Sequence, residues 1–405
     1  MSIDLINQPA VDPGLFPLDP NVTFLNHGSF GCCPHAVLQY QQDLRFRLEK
    51  QPVQFLLRDL EPLLDDARSS LATFVGAKVD ELVFVNNATS GVNTVLRSLQ
   101  FKSGDELLVS NHGYNACKNA LQFVAERSGA KVVIIDFPFP LESPDQITQA
   151  VMGKVTDKTQ LLLIDHITSP TGLILPIAEI IHQLNQRGIN TLVDGAHAPG
   201  MIPLDLDKLG ATYYSGNCHK WICAPKGAGF LHVREGKQEA IRPLTISHGA
   251  NSPRTDRSRF QLEFGWMGTS DPTAMLSVPF AIEYMGSLLP GGWNSIMDRN
   301  RKLALKARKE ICLSLNLPSP SPDSMIGSLA SVQLPDSKEP VTELARNQST
   351  HWKNELIARC KIEVPIIPWP IHPKRLVRIS AQLYNSMAQY DLLGEGLKEL
   401  GDNEV

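Results

Sequence analysis

The sequence predicts an α/β fold, a large unit on a mostly parallel seven-stranded sheet followed by a smaller C-terminal α/β unit. Three observations carry this expectation. Between residues 81 and 233 short apolar runs alternate with segments of helical periodicity, as in sheets whose strands are joined by helices. The apolar runs repeatedly end in polar residues, as strands do when they deliver side chains to the edge of an open sheet. The run GSLLPGG at 286–292 then punctuates the chain before a further set of elements.

Taken in order, strands are expected at 81–85, 106–110, 131–136, 160–166, 190–193, 211–214 and 229–233, each a short run rich in Val, Ile, Leu or aromatic residues. Helices are expected at 34–49, 62–75, 91–99, 116–128, 144–152 and 177–187. After the glycine-rich break, a helix-patterned run fills 293–315, a loop PSPSPDS follows at 318–324, and the remainder reads as the second unit. The expected organisation is residues 1–30 as an N-terminal segment, 31–288 as the large unit and 289–405 as the small one.

Composition narrows the class. With 405 residues, 42% hydrophobic and 20% charged, the chain is long enough for two packed units. A net charge of −4 leaves no basic footprint, so nucleic acid is not an expected partner. The start, MSIDLINQPAVDPG, has no basic stretch leading into an apolar one, and no apolar run approaches the roughly 18 residues of a membrane helix. No membrane association is expected and the cytoplasm is the default compartment. The seven cysteines are scattered and odd in number, which reads as reduced thiols, and no Cys/His spacing matches a metal site.

The chemistry concentrates in residues 191–230, TLVDGAHAPGMIPLDLDKLGATYYSGNCHKWICAPKGAGF. One apolar strand ends in Asp194; a second leads to Ser215 and then His219 and Lys220. An acid and a lysine emerging near neighbouring strand ends suit a pyridoxal phosphate ring. The lysine bonds to the aldehyde, and the acid keeps the ring nitrogen protonated because an opposite charge favours the charged form. Upstream, VFVNNATSGV at 83–92 runs from strand into helix, where free backbone N–H groups and the dipole suit a phosphate.

These motifs resemble the class V aminotransferase branch of fold-type I pyridoxal phosphate enzymes, and GNCHKWICAPKGAGFL is most similar to isopenicillin N epimerase-like proteins. The likeness runs from FLNHGSFG (24–31) to RLVRIS (375–380). It implies that Lys220 is the covalent and catalytic lysine, Asp194 the partner of the ring nitrogen, and His197 a neighbour of the 3′-oxygen. It implies that Ala88, Thr89 and Ser90 form the phosphate cup, with Ser215 and His219 in reach. His112 and Tyr114 compete for the ring face, and the desulfurase-like pattern favours His112. Gly268 and Thr269 resemble an element that crosses a dimer interface to the partner's phosphate, which implies a homodimer. Arg378 matches the arginine that grips a substrate carboxylate, with Asn26, His27 and Gly28 lining the substrate side; Arg375 lies three residues away, on the other face of the same strand.

The expected activity is therefore at the α-carbon of an amino acid or an amino-acid-terminated peptide, by epimerisation or transamination. A C–S lyase performing β-elimination is the first alternative, and a non-catalytic cofactor-binding module is the alternative of another class. Desulfurases carry a nucleophilic cysteine on a loop before the carboxylate arginine. Here that loop, PIIPWPIHPK at 365–374, has none, so the desulfurase reading is demoted.

Overall fold

The computed structural model describes residues 6–338 and 351–403. The first five residues of the N-terminal segment, and residues 339–350 and 404–405 of the expected small unit, lie outside the described residues. Strand β1 (Thr23–Phe24) is followed by β2 (Leu82–Val85), β3 (Glu106–Ser110), β4 (Lys131–Ile135), β5 (Thr159–Asp165), β6 (Asn190–Gly195), β7 (Tyr213–Asn217) and β8 (Gly229–Val233). Strands β2 to β8 form one seven-stranded sheet in the order β2-β8-β7-β6-β5-β3-β4. Strand β8 runs antiparallel to both neighbours, and the pairs from β7 to β4 are parallel. The strands are nearly continuous apolar runs because helices cover both faces; β2 (LVFV), β7 and β8 are buried along their whole length.

Local sequence explains the helices. In Ile177–Gln186 the residues Ile177, Ile180, Ile181 and Leu184 recur at helical spacing and are all buried, a stripe that faces the sheet. Leu60–Val75 stops at Gly76, whose left-handed conformation (φ 64°) ends it. Ala88–Ser98 starts on Asn87, whose side chain accepts from Ser90 N–H. Gly91 in that helix packs so tightly on β7 that an added Cβ would stand 2.0 Å from Ser215 Oγ. The order of the strands reverses at β3, with β4 on one side and β5 on the other. In open α/β sheets such a reversal opens a crevice at the strands' carboxyl ends.

The later elements are β9 (Leu329–Leu334), β10 (Ile362–Glu363), β11 (Ile366–Pro368) and β12 (Arg375–Ser380). Strands β11, β12 and β9 form an antiparallel sheet in that order, and β1 pairs in parallel with β10. The N-terminal segment thus lies against the later sheet; Ser380 N–H also donates to Leu25 O. From there it reaches the lysine loop, where Gly31 (φ 69°) sits so close to His219 O that a Cβ would be 2.0 Å away. The helices Gly292–Ser314 and Met387–Asn403 pack on each other, and Gly292–Ser314 also packs on β9. One apolar interior runs continuously from Leu25 through both sheets to Leu400.

The expected strands and helices before residue 234 are all present, with ends displaced by a few residues. The largest shift is β7, expected at 211–214 and found at Tyr213–Asn217. Its Ser-Gly-Asn end has little strand propensity, but it is flanked by β6 and β8 and pairs with both, Ser215 opposite Asp194 and Leu231.

Candidate active site

The carboxyl ends of β5, β6 and β7 and the start of the helix Ala88–Ser98 surround a cavity of about 220 Å³. Its lining includes Thr89, Tyr114, Asp194, His197, His219 and Lys220. Sequence reading gathered these residues from four separate stretches, and the fold brings them together.

Lys220 follows β7. Its Nζ lies 2.9 Å from His197 Nε2. Burial pulls the amine down from its ordinary value to about 8, against the opposing pull of the Asp194 charge. Asp194, buried near the end of β6, accepts from Ala196 N–H at 3.0 Å on one oxygen and from the Cys117 thiol at 3.0 Å on the other. Its neighbour across the sheet is Asp165, in register on β5 and lining the same cavity. His197 is buried, with Trp221 Nε1–H donating to its Nδ1 at 3.4 Å. Burial holds this imidazole well below its usual value, so it is neutral.

At the other end of the cavity, Asn87 Oδ1 accepts from Ser90 N–H at 2.9 Å, and Asn217 Oδ1 accepts from Ala88 N–H at 2.8 Å. Two of the three cup residues thus spend their N–H groups inside the protein. Thr89 lines the cavity between them, and His219 lines it as well.

Arg378 on β12 is buried, and burial lowers its guanidinium from the usual value to about 10. It donates to Ser169 O, to Ser29 Oγ at 2.9 Å and to Asn26 Oδ1 at 3.5 Å. Ser29 and Ser169 line the cavity, so Arg378 stands directly behind its wall, and its Nε has no partner. Arg375 points elsewhere, with its guanidinium 3.7 Å from the Trp352 ring centroid and its Nε donating to Pro335 O.

Several expected residues stand elsewhere than the sequence reading put them. Ser215 is fully buried and donates to Phe230 O at 2.9 Å, pinned under Gly91 rather than opening toward the cup. His27 does not line the substrate side. It is wholly buried, with Nδ1 2.8 Å from Tyr384 OH and Nε2 3.0 Å from Lys220 O, so it braces the lysine loop from behind. Gly28 is packed against Leu329, and its N–H donates to Ser380 Oγ. His112, favoured for the ring face, is wholly buried beside Phe137, Phe139 and Trp369 and bonded through Nδ1 to Thr171 Oγ1 at 2.9 Å. Tyr114 instead borders the cavity and is 45% exposed. Gly268 and Thr269 lie exposed on the outer surface, where Gly268 and Asn86 border a separate cavity. Sequence reading missed Asp165, Asn87, Asn217 and Cys117. The first three sit at strand ends or helix caps, and that position was the available signal.

Residues 50–335 match the family described as Aminotransferase class-V. The chain is 36% identical over 399 residues to isopenicillin N epimerase of Amycolatopsis lactamdurans, covering 95% of this chain and 96% of that protein. It is 30% identical over 408 residues to a probable chloroplastic L-cysteine desulfhydrase of Arabidopsis thaliana, covering 94% and 83%. Among solved structures, a cysteine desulfurase from Escherichia coli superposes with a TM-score of 0.77 at 21% identity, covering 98% of this chain and 99% of that one. That likeness bears on the fold alone.

Proposed function

The chain belongs to the class V aminotransferase family and is a pyridoxal phosphate enzyme, and we propose that it acts at the α-carbon of an amino acid or amino-acid-terminated peptide in the cavity around Lys220. The observation that carries this is the gathering of Lys220, His197 and Asp194 on one cavity, with the half-buried Lys220 Nζ 2.9 Å from His197 Nε2 and its amine lowered to about 8. The surrounding residues fit the cofactor. Lys220 offers the amine, Asp194 a carboxylate for the ring nitrogen, His197 an Nε2 for the 3′-oxygen, and Tyr114 a flat side chain for the ring face. Thr89 and His219, both on the cavity lining, suit the phosphate. When bound, the cofactor serves as an electron sink that acidifies the α-proton of an attached amino acid.

The protein's own groups then divide the work. Arg378 orients the substrate carboxylate by a fork that a lysine cannot reproduce. Burial favours the neutral form of Lys220, which suits it to attack a carbonyl and to take a proton from the α-carbon. Proton return to the opposite face inverts the centre, and the similarity to an epimerase favours that outcome. The similarity to a desulfhydrase supports β-elimination as the second reading. We read Gly268 and Thr269 as reaching the phosphate of a second copy: both are exposed, and Gly268 borders a cavity with Asn86, just before the cup helix, which supports a homodimer. The division into units at 31–288 and 289–405 remains our reading, supported by the Gly291–Gly292 break before the long helix. All seven cysteines are free thiols, which supports a reducing compartment such as the cytoplasm; no helix among the described residues is long and apolar enough to cross a membrane.

The test is to offer L- and D-amino acids, including cystine and cysteine conjugates, in deuterated water. Incorporation of α-deuterium without pyruvate supports epimerisation or transamination. Release of pyruvate makes the enzyme a lyase. A bound cofactor with neither outcome across the panel points to the non-catalytic module.

A further inference from the structure

The site holds a second carboxyl that its ring-binding role does not use. Asp165 and Asp194 are paired in register on the parallel strands β5 and β6. Their side chains therefore leave the same face of the sheet, on strands about 4.8 Å apart. Each residue is 5% exposed, and both line the cavity that contains Lys220. Two carboxylates so placed, away from water, repel each other strongly when both are ionised. Asp194 accepts from Ala196 N–H and the Cys117 thiol, both of which favour a carboxylate. Asp165 also accepts from the backbone N–H groups of Tyr114 and of its own residue, and its burial and the Asp194 charge outweigh them.

We propose that Asp165 is the proton-bearing partner of Asp194, a positioning residue that sets how firmly the ring nitrogen holds its proton. The proposal rests on the cofactor reading above. The groups facing Asp165 are Asp194 on β6, Cys117 and Lys118 on the helix Asn115–Ser128, and Lys220 beyond β7. Burial, and then the Asp194 charge, pushes the Asp165 carboxyl well above its ordinary value, in agreement with the geometry. While Asp165 is neutral, the ring nitrogen faces one negative charge. When Asp165 loses its proton to solvent at higher pH, the nitrogen faces two and holds its own proton more tightly. Asp165 thus acts through Asp194 as a buffer that keeps the electron sink protonated as pH rises.

Two measurements test it. The first is infrared spectroscopy of the cofactor-free protein, where a protonated carboxyl has its own carbonyl band. The band is expected at neutral pH in wild type with isotopically labelled aspartate, to bleach as pH rises, and to be missing from Asp165→Asn. Absence of a bleaching band from wild type overturns the proposal and does not require the variant to fold. The second is nitrogen NMR of bound pyridoxal phosphate labelled at the ring nitrogen. Asp165→Asn is isosteric with the neutral carboxyl, retains the cofactor, and should lower the proton affinity of the ring nitrogen by about tenfold or more. An unchanged midpoint overturns the tuning role. Failure of wild type to bind the labelled cofactor overturns the parent reading, and with it this one, and is distinguishable because the infrared band on the cofactor-free protein is unaffected.

Discussion

His197 Nε2 stands 2.9 Å from Lys220 Nζ, and Trp221 Nε1–H donates to the other ring nitrogen of His197. An indole N–H is a donor only, so His197 Nδ1 is an acceptor. The neutral ring therefore carries its proton on Nε2 and donates it to Lys220, which requires a neutral amine. Above about pH 8 the lysine is therefore the neutral amine that accepts from His197 Nε2–H and attacks a carbonyl, a form burial brings within reach of neutral pH. The same tautomer leaves an Nε2–H for the 3′-oxygen once the lysine has moved to the cofactor.

A pH dependence follows for the cofactor-free protein. The amine falls from 10.5 to about 8 on folding, so the folded state binds this proton more weakly than the unfolded chain. The stabilisation is complete above pH 10.5 and is lost as pH falls toward 8. Lys220→Met should remove this rise between pH 8 and 10.5 and stabilise the apoprotein at pH 7 by about 1–3 kcal/mol, after the unpaired His197 N–H is allowed for. Chemical denaturation of both proteins at several pH values checks it; identical profiles contradict the assignment.

Asp194→Ala removes the charge opposite the ring nitrogen and frees the Cys117 thiol. Turnover should fall by at least about 100-fold, and the cofactor should be lost more readily on dialysis. The comparison of kcat with cofactor retention separates the two effects. A variant of near wild-type turnover would remove Asp194 from its role.

Arg378→Lys keeps a cation behind the cavity wall but loses the fork. KM for the amino acid should rise by about 10- to 100-fold while the cofactor absorbance persists. Steady-state kinetics with a responsive amino acid decide this, and an unchanged KM counts against the carboxylate role.

The ring-face residue can be read from two substitutions. Tyr114→Ala should shift the cofactor's absorption with little cost in stability, since Tyr114 is 45% exposed on the cavity. His112→Ala opens a void among Phe137, Phe139 and Trp369 and should destabilise the fold by about 2–4 kcal/mol. The reverse pattern would return the ring face to His112.

The large sheet was legible in the sequence because its strands are buried on both faces and read as unbroken apolar runs between amphipathic helices. The Lys220–Asp194–His197 core was legible too, since each residue follows closely on a strand end. What sequence could not give was the direction of side chains in the connecting loops. His112 and Tyr114 are two residues apart, and only the packing of Phe137, Phe139 and Trp369 separates them. His27 looked like a lining residue but turns toward Tyr384, because β1 pairs with β10 and brings the N-terminal loop in behind the lysine. Asp165 went unnoticed because its importance lies in the β5–β6 register, a long-range pairing that no local pattern encodes.

The central claim is that Lys220 carries the cofactor. Borohydride reduction of the purified protein, followed by peptide mapping with mass spectrometry, tests it most directly. The account predicts one pyridoxyl adduct, on the peptide containing His219-Lys220-Trp221, and none in Lys220→Ala. An adduct on another lysine, or a protein that carries no cofactor at all, would contradict it.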